Sequence, residues 1–225
     1  MMSEISKRIL TGSFLLVLLA LSFFNVFILI ISLICLLIIG WVEFNGLISK
    51  IFIKNNFKSQ FFKFISKVSS LLYLFLFSLF IFEALSRPDI NYKFTIIYLF
   101  SICICSDIGG FIFGKIFKGK KLTKISPNKT ISGSIGSFIL SLFPVPIFFF
   151  ILQSKTLNLY ELTILSLFVS LFCQLGDLLI SYLKRKAKVK DTGDLLPGHG
   201  GILDRIDGIL LAIPTGMIIV EFLVY

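Results

Sequence analysis

The stretch LTGSFLLVLLALSFFNVFILIISLICLLIIGWV, residues 10–42, decides the class of fold, because it carries no charged side chain. Thirty-odd helical residues extend for about 45 Å, whereas the hydrocarbon core of a bilayer is about 30 Å thick. The run is therefore too long for one membrane span. Asn25 lies near its middle, and we interpret the run as a helical hairpin in which a tight turn joins two short spans.

Further apolar runs complete the pattern of an integral membrane protein. They occupy about residues 68–86, 94–113, 131–152, 159–180 and 202–224. Of the 225 residues 56% are hydrophobic, and the mean hydropathy is +0.98, whereas soluble domains contain about 45–50% apolar residues. The sequence therefore predicts an all-α fold, a polytopic membrane helix bundle with about seven transmembrane helices, give or take two.

The basic residues predict how these spans are oriented. The net charge of +10 is explained by lysine-rich cytoplasmic loops beside anionic lipid, so we expect no nucleic-acid partner. When the hairpin counts as two spans, all but three of the 22 lysine and arginine residues fall on the N-terminal side of the membrane; the exceptions are Arg87, Lys93 and Lys155. The positive-inside rule then places the N-terminus in the cytoplasm and the C-terminus outside.

Acidic residues collect on the same side as the lysines. Six aspartates lie in or beside the cytoplasmic ends of the last four spans: Asp107, Asp177, Asp191, Asp194, Asp204 and Asp207. Carboxylates at this depth are costly, so each is by default a functional candidate. Glu83 and Glu221 fall on the outer side and need no functional explanation, whereas the role of Glu43, on the inner side, is undecided.

The stretch FCQLGDLLISYLKRKAKVKD, residues 172–191, predicts a helix with one polar stripe. The stripe residues recur at steps of three or four: Gln174, Asp177, Ser181, Lys184 and Lys188. Lysines near the end of such a helix can simply reach the interface with their long side chains. That explanation does not cover Gln174 or Asp177, which lie deeper, and for Asp177 we favour a functional role.

The stretch KDTGDLLPGHGGILDRID, residues 190–207, predicts a loop followed by a helix. Its glycines and Pro197 indicate a loop whose backbone N–H groups could approach a phosphate. The helix restarts near Ile202, and Asp204 and Asp207 share one of its faces, where oxygen ligands suit Mg²⁺. The alternative is that these acids balance the helix dipole. For His199, a hydrogen-bonding turn residue and a direct ligand are equally good interpretations.

A third stretch, SDIGGFIFGKIFKGKKLTKISPNKTISGSIG, spans residues 106–136. Its glycines predict a close-packed or re-entrant helix, and its lysines at 118–124 fit plain positive-inside charge. For Asp107 and for Ser126, Lys129 and Thr130 in the SPNKT turn we favour function, because hydroxyl and ammonium groups can hold a phosphate. Together the three stretches suit an enzyme that joins a soluble nucleotide to a lipid phosphate. An anion transporter is the alternative outside enzymes, although its pathway would more usually be lined by bases.

The segment SYLKRKAKVKDTGDLLPGHGGILDRID, residues 181–207, resembles the signature of the phosphatidate cytidylyltransferase (CDP-diglyceride synthetase) family nearly position for position. The matching positions are Ser181, Lys184, Arg185, Lys190, Asp191, Pro197, Gly198, His199, Gly200, Gly201, Asp204, Arg205 and Asp207. With QLGD and ISPNKT upstream, the resemblance covers about residues 100–210. It departs at Ile131 and Ser132, where the family has an aromatic residue and a glutamate, and at Gly109 and Gly110, where an alanine–tyrosine pair is frequent.

The resemblance implies transfer of CMP from CTP to phosphatidic acid in phospholipid biosynthesis, giving CDP-diacylglycerol and pyrophosphate, with Mg²⁺ required. It also implies a bacterial cytoplasmic membrane and a possible homodimer. The implied catalytic residues are Asp177, Lys184, Arg185, Asp204, Arg205 and Asp207. The implied metal ligands are Asp177, Asp204 and Asp207, with Asp191 and Asp107 as weaker candidates. The implied substrate-binding residues are Ser126, Lys129, Thr130, Ser181, Lys190, His199, Gly200 and Gly201.

The chain is predicted to form a single membrane domain over residues 1–225, in which residues 1–93 are an N-terminal helical part and residues 94–225 a catalytic part. Rival enzyme classes are a polyprenyl-phosphate sugar-1-phosphate transferase, a CTP-dependent lipid kinase and a CDP-ether-lipid synthase. The intact PGHGG loop, residues 197–201, speaks against all three.

Overall fold

The computed structural model describes residues 4–53, 56–87, 90–151, 157–195 and 200–224. Within these ranges the chain is helical and forms no β-strand, and an isolated bridge joins Lys121 to Thr130. The helices are α1 (Glu4–Phe24), α2 (Val26–Ile51), α3 (Phe57–Ser86), α4 (Ile90–Phe117), α5 (Ile131–Ser141), α6 (Pro144–Ile151), α7 (Leu159–Lys186) and α8 (Leu203–Val224).

Most of these helices are long and apolar enough to cross a membrane. Across the described ranges there are six such segments: Val26–Ile51, Phe57–Ser86, Asn91–Phe117, Ile131–Ile151, Leu159–Lys186 and Leu203–Leu223. The apolar part of α1, Leu10–Phe24, is shorter. The predicted all-α polytopic class is confirmed, six spans fall within the predicted range, and the chain is an integral membrane protein. The orientation of its termini stays a prediction.

The chain divides into two compact units, which are described one at a time. The first comprises Met1–Ser86 and Leu183–Ile206, and the second comprises Arg87–Tyr182 and Asp207–Tyr225. The predicted single domain with parts 1–93 and 94–225 stays a prediction.

The first unit begins with the predicted hairpin, which is confirmed. Asn25 has an extended backbone, and its side chain accepts hydrogen bonds from the N–H groups of Phe27 and Ile28 at 2.9 and 3.4 Å. It thereby caps α2 and separates it from α1. The hydroxyls of Ser22 and Ser32 meet at 3.4 Å, which requires the two helices to run antiparallel. Contrary to the prediction of two short spans, α2 is 26 residues long.

Helix α3 packs against α2 in the same unit. The indole N–H of Trp41 donates to the backbone oxygen of Lys67 at 3.3 Å. Near it, Gly40 faces the side chain of Leu74, to which a Cβ on the glycine would come within 3.5 Å. Leu74, Phe77 and Ile81 are all buried, so α3 contributes an apolar face to the core of this unit.

In the second unit, glycines bring α4 and α5 into backbone contact. A Cβ on Gly109 would collide with the backbone oxygen of Gly136, and a Cβ on Gly136 would collide with the ring of Phe113. Helix α4 continues unbroken through Gly109, so the glycines serve close packing and α4 is not re-entrant. The apolar run predicted over 131–152 is two helices, because the chain turns at Leu142 and α6 restarts at Pro144.

Helix α7 joins α4 through buried hydroxyl groups. The Tyr98 hydroxyl lies 2.6 Å from that of Ser166 and donates to the backbone oxygen of Leu162 at 3.0 Å. One layer away, the hydroxyls of Ser106 and Ser170 meet at 2.9 Å. Hydrogen bonds of this kind satisfy polar groups that have no water partner inside a membrane.

Candidate functional site

The predicted polar stripe on α7 ends earlier than its spacing suggested. The helix stops at Lys186, and Lys188 adopts a left-handed backbone with φ of 56°. The Val189 N–H donates to the Lys184 oxygen at 3.0 Å, which closes the helix end. Inclusion of Lys188 in the stripe was therefore wrong, because the chain turns away there. Gln174, the stripe residue nearest the N-terminus of α7, accepts a hydrogen bond from the hydroxyl of Ser134 on α5 and so joins two helices.

Three aspartates of the second unit come together, and we call Asp107, Asp177 and Asp207 the acidic cluster. The carboxyl groups of Asp177 and Asp207 are close enough to interact directly, and that of Asp107 is close enough to interact electrostatically with both. Glycines allow this approach. A Cβ on Gly176 would collide with the backbone oxygen of Asp207, and one on Gly208 would collide with the sulfur of Cys173. Adjacent glycines on α7 and α8 thus set the separation of the two carboxylates.

Lys129 supplies a positive charge to the acidic cluster. Its ammonium group forms an ion pair with the carboxylate of Asp177, and both side chains are partly buried. The SPNKT turn holds the lysine in place, because the Lys129 N–H donates to the Ser126 oxygen at 3.1 Å. Thr130 then caps α5, and its hydroxyl accepts from the Gly133 N–H at 3.0 Å. The structure therefore brings Lys129 to the predicted acids and employs the Thr130 hydroxyl in a helix cap.

The acidic cluster offers Mg²⁺ the donor atoms that it prefers. Within the described part of the chain, no three histidine, cysteine, aspartate or glutamate side chains form a ready-made metal cage. Mg²⁺ does not need one, since it commonly binds one or two carboxylates and completes its shell with water and substrate phosphates. The paired oxygens of Asp177 and Asp207 meet that requirement, so the residues present fit Mg²⁺.

A second set of polar residues belongs to the first unit, and we call Glu43, Lys184, Thr192 and Asp204 the loop cluster. The Lys184 ammonium lies 2.6 Å from Oδ1 of Asp204, and these side chains are only 16% and 6% exposed. The other oxygen, Oδ2, accepts from the Thr192 N–H at 2.8 Å, the Thr192 hydroxyl at 3.0 Å and the Gly201 N–H at 3.2 Å. Both carboxylate oxygens of Asp204 are thus engaged by the protein itself.

Glu43 is the loop-cluster residue whose role the sequence left undecided. Its side chain is buried at 7% exposure. Oε1 accepts from the Ile202 N–H at 2.9 Å, and Oε2 accepts from the Leu203 N–H at 2.9 Å and the Thr192 hydroxyl at 2.8 Å. The only sequence feature that pointed to Glu43 was its place as an acid near the predicted inner end of an apolar span. Its partners lie about 150 to 160 residues further along the chain, which no local pattern reveals.

The remaining predicted residues are placed as follows. Arg185, Arg205, Lys190 and Asp191 are exposed, Ser126 and Ser181 are half-buried, and Gly200 has φ of 80°. That φ favours glycine, because other side chains are strained there. His199 lies outside the described residues, as do Pro197 and Gly198. Asp204 and Asp207, predicted to share a face, have different partners, Asp204 in the first unit and Asp207 in the second.

The fold and these clusters define a class, the polytopic α-helical membrane proteins with charged groups within their spans. A family model described as the cytidylyltransferase family matches residues 2–223, and the chain belongs to this family. The phosphatidate cytidylyltransferase of Staphylococcus haemolyticus is 46% identical over 120 residues, which cover 53% of this chain and 46% of that protein. That of Bacillus subtilis is 42% identical over 126 residues, 54% of this chain and 46% of that protein. The chain spans about half the length of the curated relatives it matches.

Proposed function

We propose that the protein transfers CMP from CTP to phosphatidic acid, giving CDP-diacylglycerol and pyrophosphate. The observation that carries this proposal is the acidic cluster with its fixed lysine, in which Lys129 from the turn before α5 meets Asp107, Asp177 and Asp207 of the spans in a cytidylyltransferase-family chain. The names of the Staphylococcus haemolyticus and Bacillus subtilis relatives, both phosphatidate cytidylyltransferases, support the choice of substrates.

The proposed reaction needs no protein nucleophile. The phosphate of phosphatidic acid attacks the α-phosphorus of CTP, and pyrophosphate leaves from the opposite side. The protein's part is to align the two phosphates and to neutralise their charge. This suits a chain whose polar groups lie at the ends of membrane spans, since one substrate arrives from water and the acyl chains of the other stay in the bilayer.

Mg²⁺ is the proposed cofactor, and Asp177 and Asp207 are the residues that would hold it, with Asp107 beside them. When bound, it would neutralise charge on the phosphates. Lys129, already within the cluster, would bind a phosphate directly. Its ammonium has three donors, of which the ion pair with Asp177 uses one.

The other proposed substrate contacts come from the signature. Arg185, Arg205 and Lys190 are exposed and would hold phosphates, whereas Lys184 can do so only with donors that its bond to Asp204 leaves over. Ser126, Thr130, Ser181, His199, Gly200 and Gly201 remain proposed substrate-binding residues, and Asp191 remains a proposed weak metal ligand. We further propose a bacterial cytoplasmic membrane with the N-terminus inside, and a homodimer.

The experiment that tests this function uses the purified chain in detergent with phosphatidic acid, Mg²⁺ and CTP labelled at the α-phosphate. Label should appear in the lipid fraction only when both phosphatidic acid and Mg²⁺ are present. CTP labelled at the γ-phosphate should leave the lipid unlabelled, whereas a lipid kinase would give the reverse pattern.

The matched variants are Asp177→Asn, expected to abolish labelling, and Glu221→Gln, expected to match the unmodified chain because Glu221 is exposed near the end of α8. A folded preparation that gives no labelled lipid contradicts the proposal. UDP-sugars with a polyprenyl phosphate, and vectorial uptake of anions into vesicles, then test the rival enzyme and the transporter.

A further inference from the structure

The backbone N–H groups at the start of α8 are already occupied by a carboxylate of the protein. A helix N-terminus that follows a glycine-rich loop is a ready site for a phosphate. Here the N–H groups of Ile202 and Leu203 donate to the two oxygens of Glu43, each at 2.9 Å. Glu43 therefore fills the position that an anionic ligand would take, and the start of α8 is fastened to α2.

Two glycines, one on each flank of the loop, make room for this carboxylate. A Cβ on Gly201 would collide with Oε2 of Glu43 and with the Thr192 hydroxyl, and a Cβ on Gly193 would lie 2.9 Å from Oε1. Both distances are shorter than a real Cβ atom keeps from a neighbouring side chain. The close approach that these glycines permit is thus an approach to Glu43, and it involves both flanks of the loop, residues 191–193 and 200–203.

Thr192 connects Glu43 to the rest of the loop cluster. Its hydroxyl lies 2.8 Å from Oε2 of Glu43 and 3.0 Å from Oδ2 of Asp204, and its N–H donates to the same Asp204 oxygen at 2.8 Å. The Thr192 hydroxyl has a single hydrogen, which the carboxylates of Glu43 and Asp204 therefore share. The two loop flanks are held from α2 on one side and from Lys184 through Asp204 on the other.

We propose that Glu43 is a positioning residue that fixes the two loop flanks and thereby sets the affinity of the enzyme for its nucleotide. The proposal rests on the proposed function, in which the signature loop binds CTP. Glu43 acts through the loop backbone and does not touch the substrate. It also gives the N-terminal helices a part in activity, because the acid that fastens the loop belongs to α2.

The first test compares kinetic constants. In Glu43→Gln one oxygen becomes an amide NH₂ that faces a backbone N–H, which leaves a buried donor without a partner. From the usual effect of such a change, the KM for CTP should rise about tenfold to a hundredfold. The KM for phosphatidic acid should stay unchanged. A merely destabilised protein would instead lose active enzyme, which lowers the apparent kcat and leaves both KM values unchanged.

Thr192 supplies a matched pair of variants. Thr192→Val has the same shape without the hydroxyl and should raise the KM for CTP. Thr192→Ser keeps the hydroxyl and should have the KM for CTP of the unmodified chain. This pair keeps the proposal open to refutation if Glu43→Gln does not fold. Glu221→Gln controls for loss of an acid elsewhere in the spans.

The second test does not require activity. Hydrogen exchange measured by mass spectrometry on peptides that cover 191–203 should become faster in Glu43→Gln and Thr192→Val, and stay unchanged in Thr192→Ser and Glu221→Gln. If the unmodified chain transfers no CMP, the proposed function fails, and the exchange rates still decide whether Glu43 fixes the loop. Unchanged exchange in Glu43→Gln overturns the positioning role. Faster exchange with an unchanged KM for CTP overturns the link to nucleotide affinity.

Discussion

The substitution Asp204→Asn separates two roles for this aspartate, a metal ligand as the family signature implies and a structural partner of Lys184. The asparagine oxygen can still accept from the Thr192 and Gly201 N–H groups, but its amide NH₂ then faces the Lys184 ammonium. The pair is well buried, with side chains 16% and 6% exposed. Removal of one partner from a buried ion pair costs about 3–5 kcal/mol, because the other charge is left uncompensated. The apparent melting temperature should therefore fall by about 6–20 °C.

The assay follows unfolding through the buried thiols of Cys103 and Cys173, in a chain whose exposed Cys35 and half-buried Cys105 are replaced by alanine, so that a maleimide dye reacts only when the protein opens. The double variant Lys184→Met/Asp204→Asn should regain most of the lost stability, because it contains no unpaired charge. Lys184→Met alone should be destabilised, since it leaves the Asp204 carboxylate unpaired. Non-additive melting temperatures of this kind would establish that the two side chains act as a pair.

The contrary result is equally clear. If Asp204→Asn melts within about a degree of the unmodified chain, and its residual activity needs a higher Mg²⁺ concentration for half-saturation, then Asp204 serves the metal and the reasoning from its hydrogen bonds is wrong. Asp177→Asn provides the comparison, since loss of CMP transfer is expected there at every Mg²⁺ concentration.

Three further outcomes are expected. Lys129→Met should lower the rate of CMP transfer by about a hundredfold or more, because it removes a fixed positive charge from the acidic cluster; near-normal turnover would exclude a role in phosphate binding. Gly136→Ala should destabilise the protein by about 1–3 kcal/mol in the dye assay, because its Cβ would meet the neighbouring helix, whereas Gly46→Ala, which faces open space, should be neutral or stabilising. Tyr98→Phe should cost about 0.6–1.7 kcal/mol by loss of its interhelical hydrogen bonds without altering KM for either substrate, and a changed KM would contradict a purely structural role.

The membrane class and the hairpin followed from the sequence because both depend on local composition. A long, continuously apolar run is helical in a bilayer, because a helix satisfies every backbone group within its own segment. Asn25 could be identified as the break because its short polar side chain can cap the following helix, as it does. The glycines of α4 likewise predicted close packing, although only the structure excluded a re-entrant path.

The candidate site was predictable in its residue types and less so in its pairings. The sequence singled out Asp107, Asp177 and Lys129, which the structure brings together. It also treated Asp204 and Asp207 as one pair, because a spacing of three puts two side chains on one helix face. Two side chains on one helix face can still contact different residues. In the structure Asp204 pairs with Lys184, whereas Asp207 lies beside Asp177.

By itself, the sequence determined an all-α membrane protein, the break at Asn25, and a concentration of acids and lysines in the last spans. These properties are set by the side chains of neighbouring residues and by the thickness of the bilayer. Only the tertiary structure decided that Glu43 holds the start of α8 and that both oxygens of Asp204 are engaged within the protein. The partners of Glu43 are as far as 160 residues away along the chain, and such a contact depends on which helices pack together, a property that no local spacing encodes.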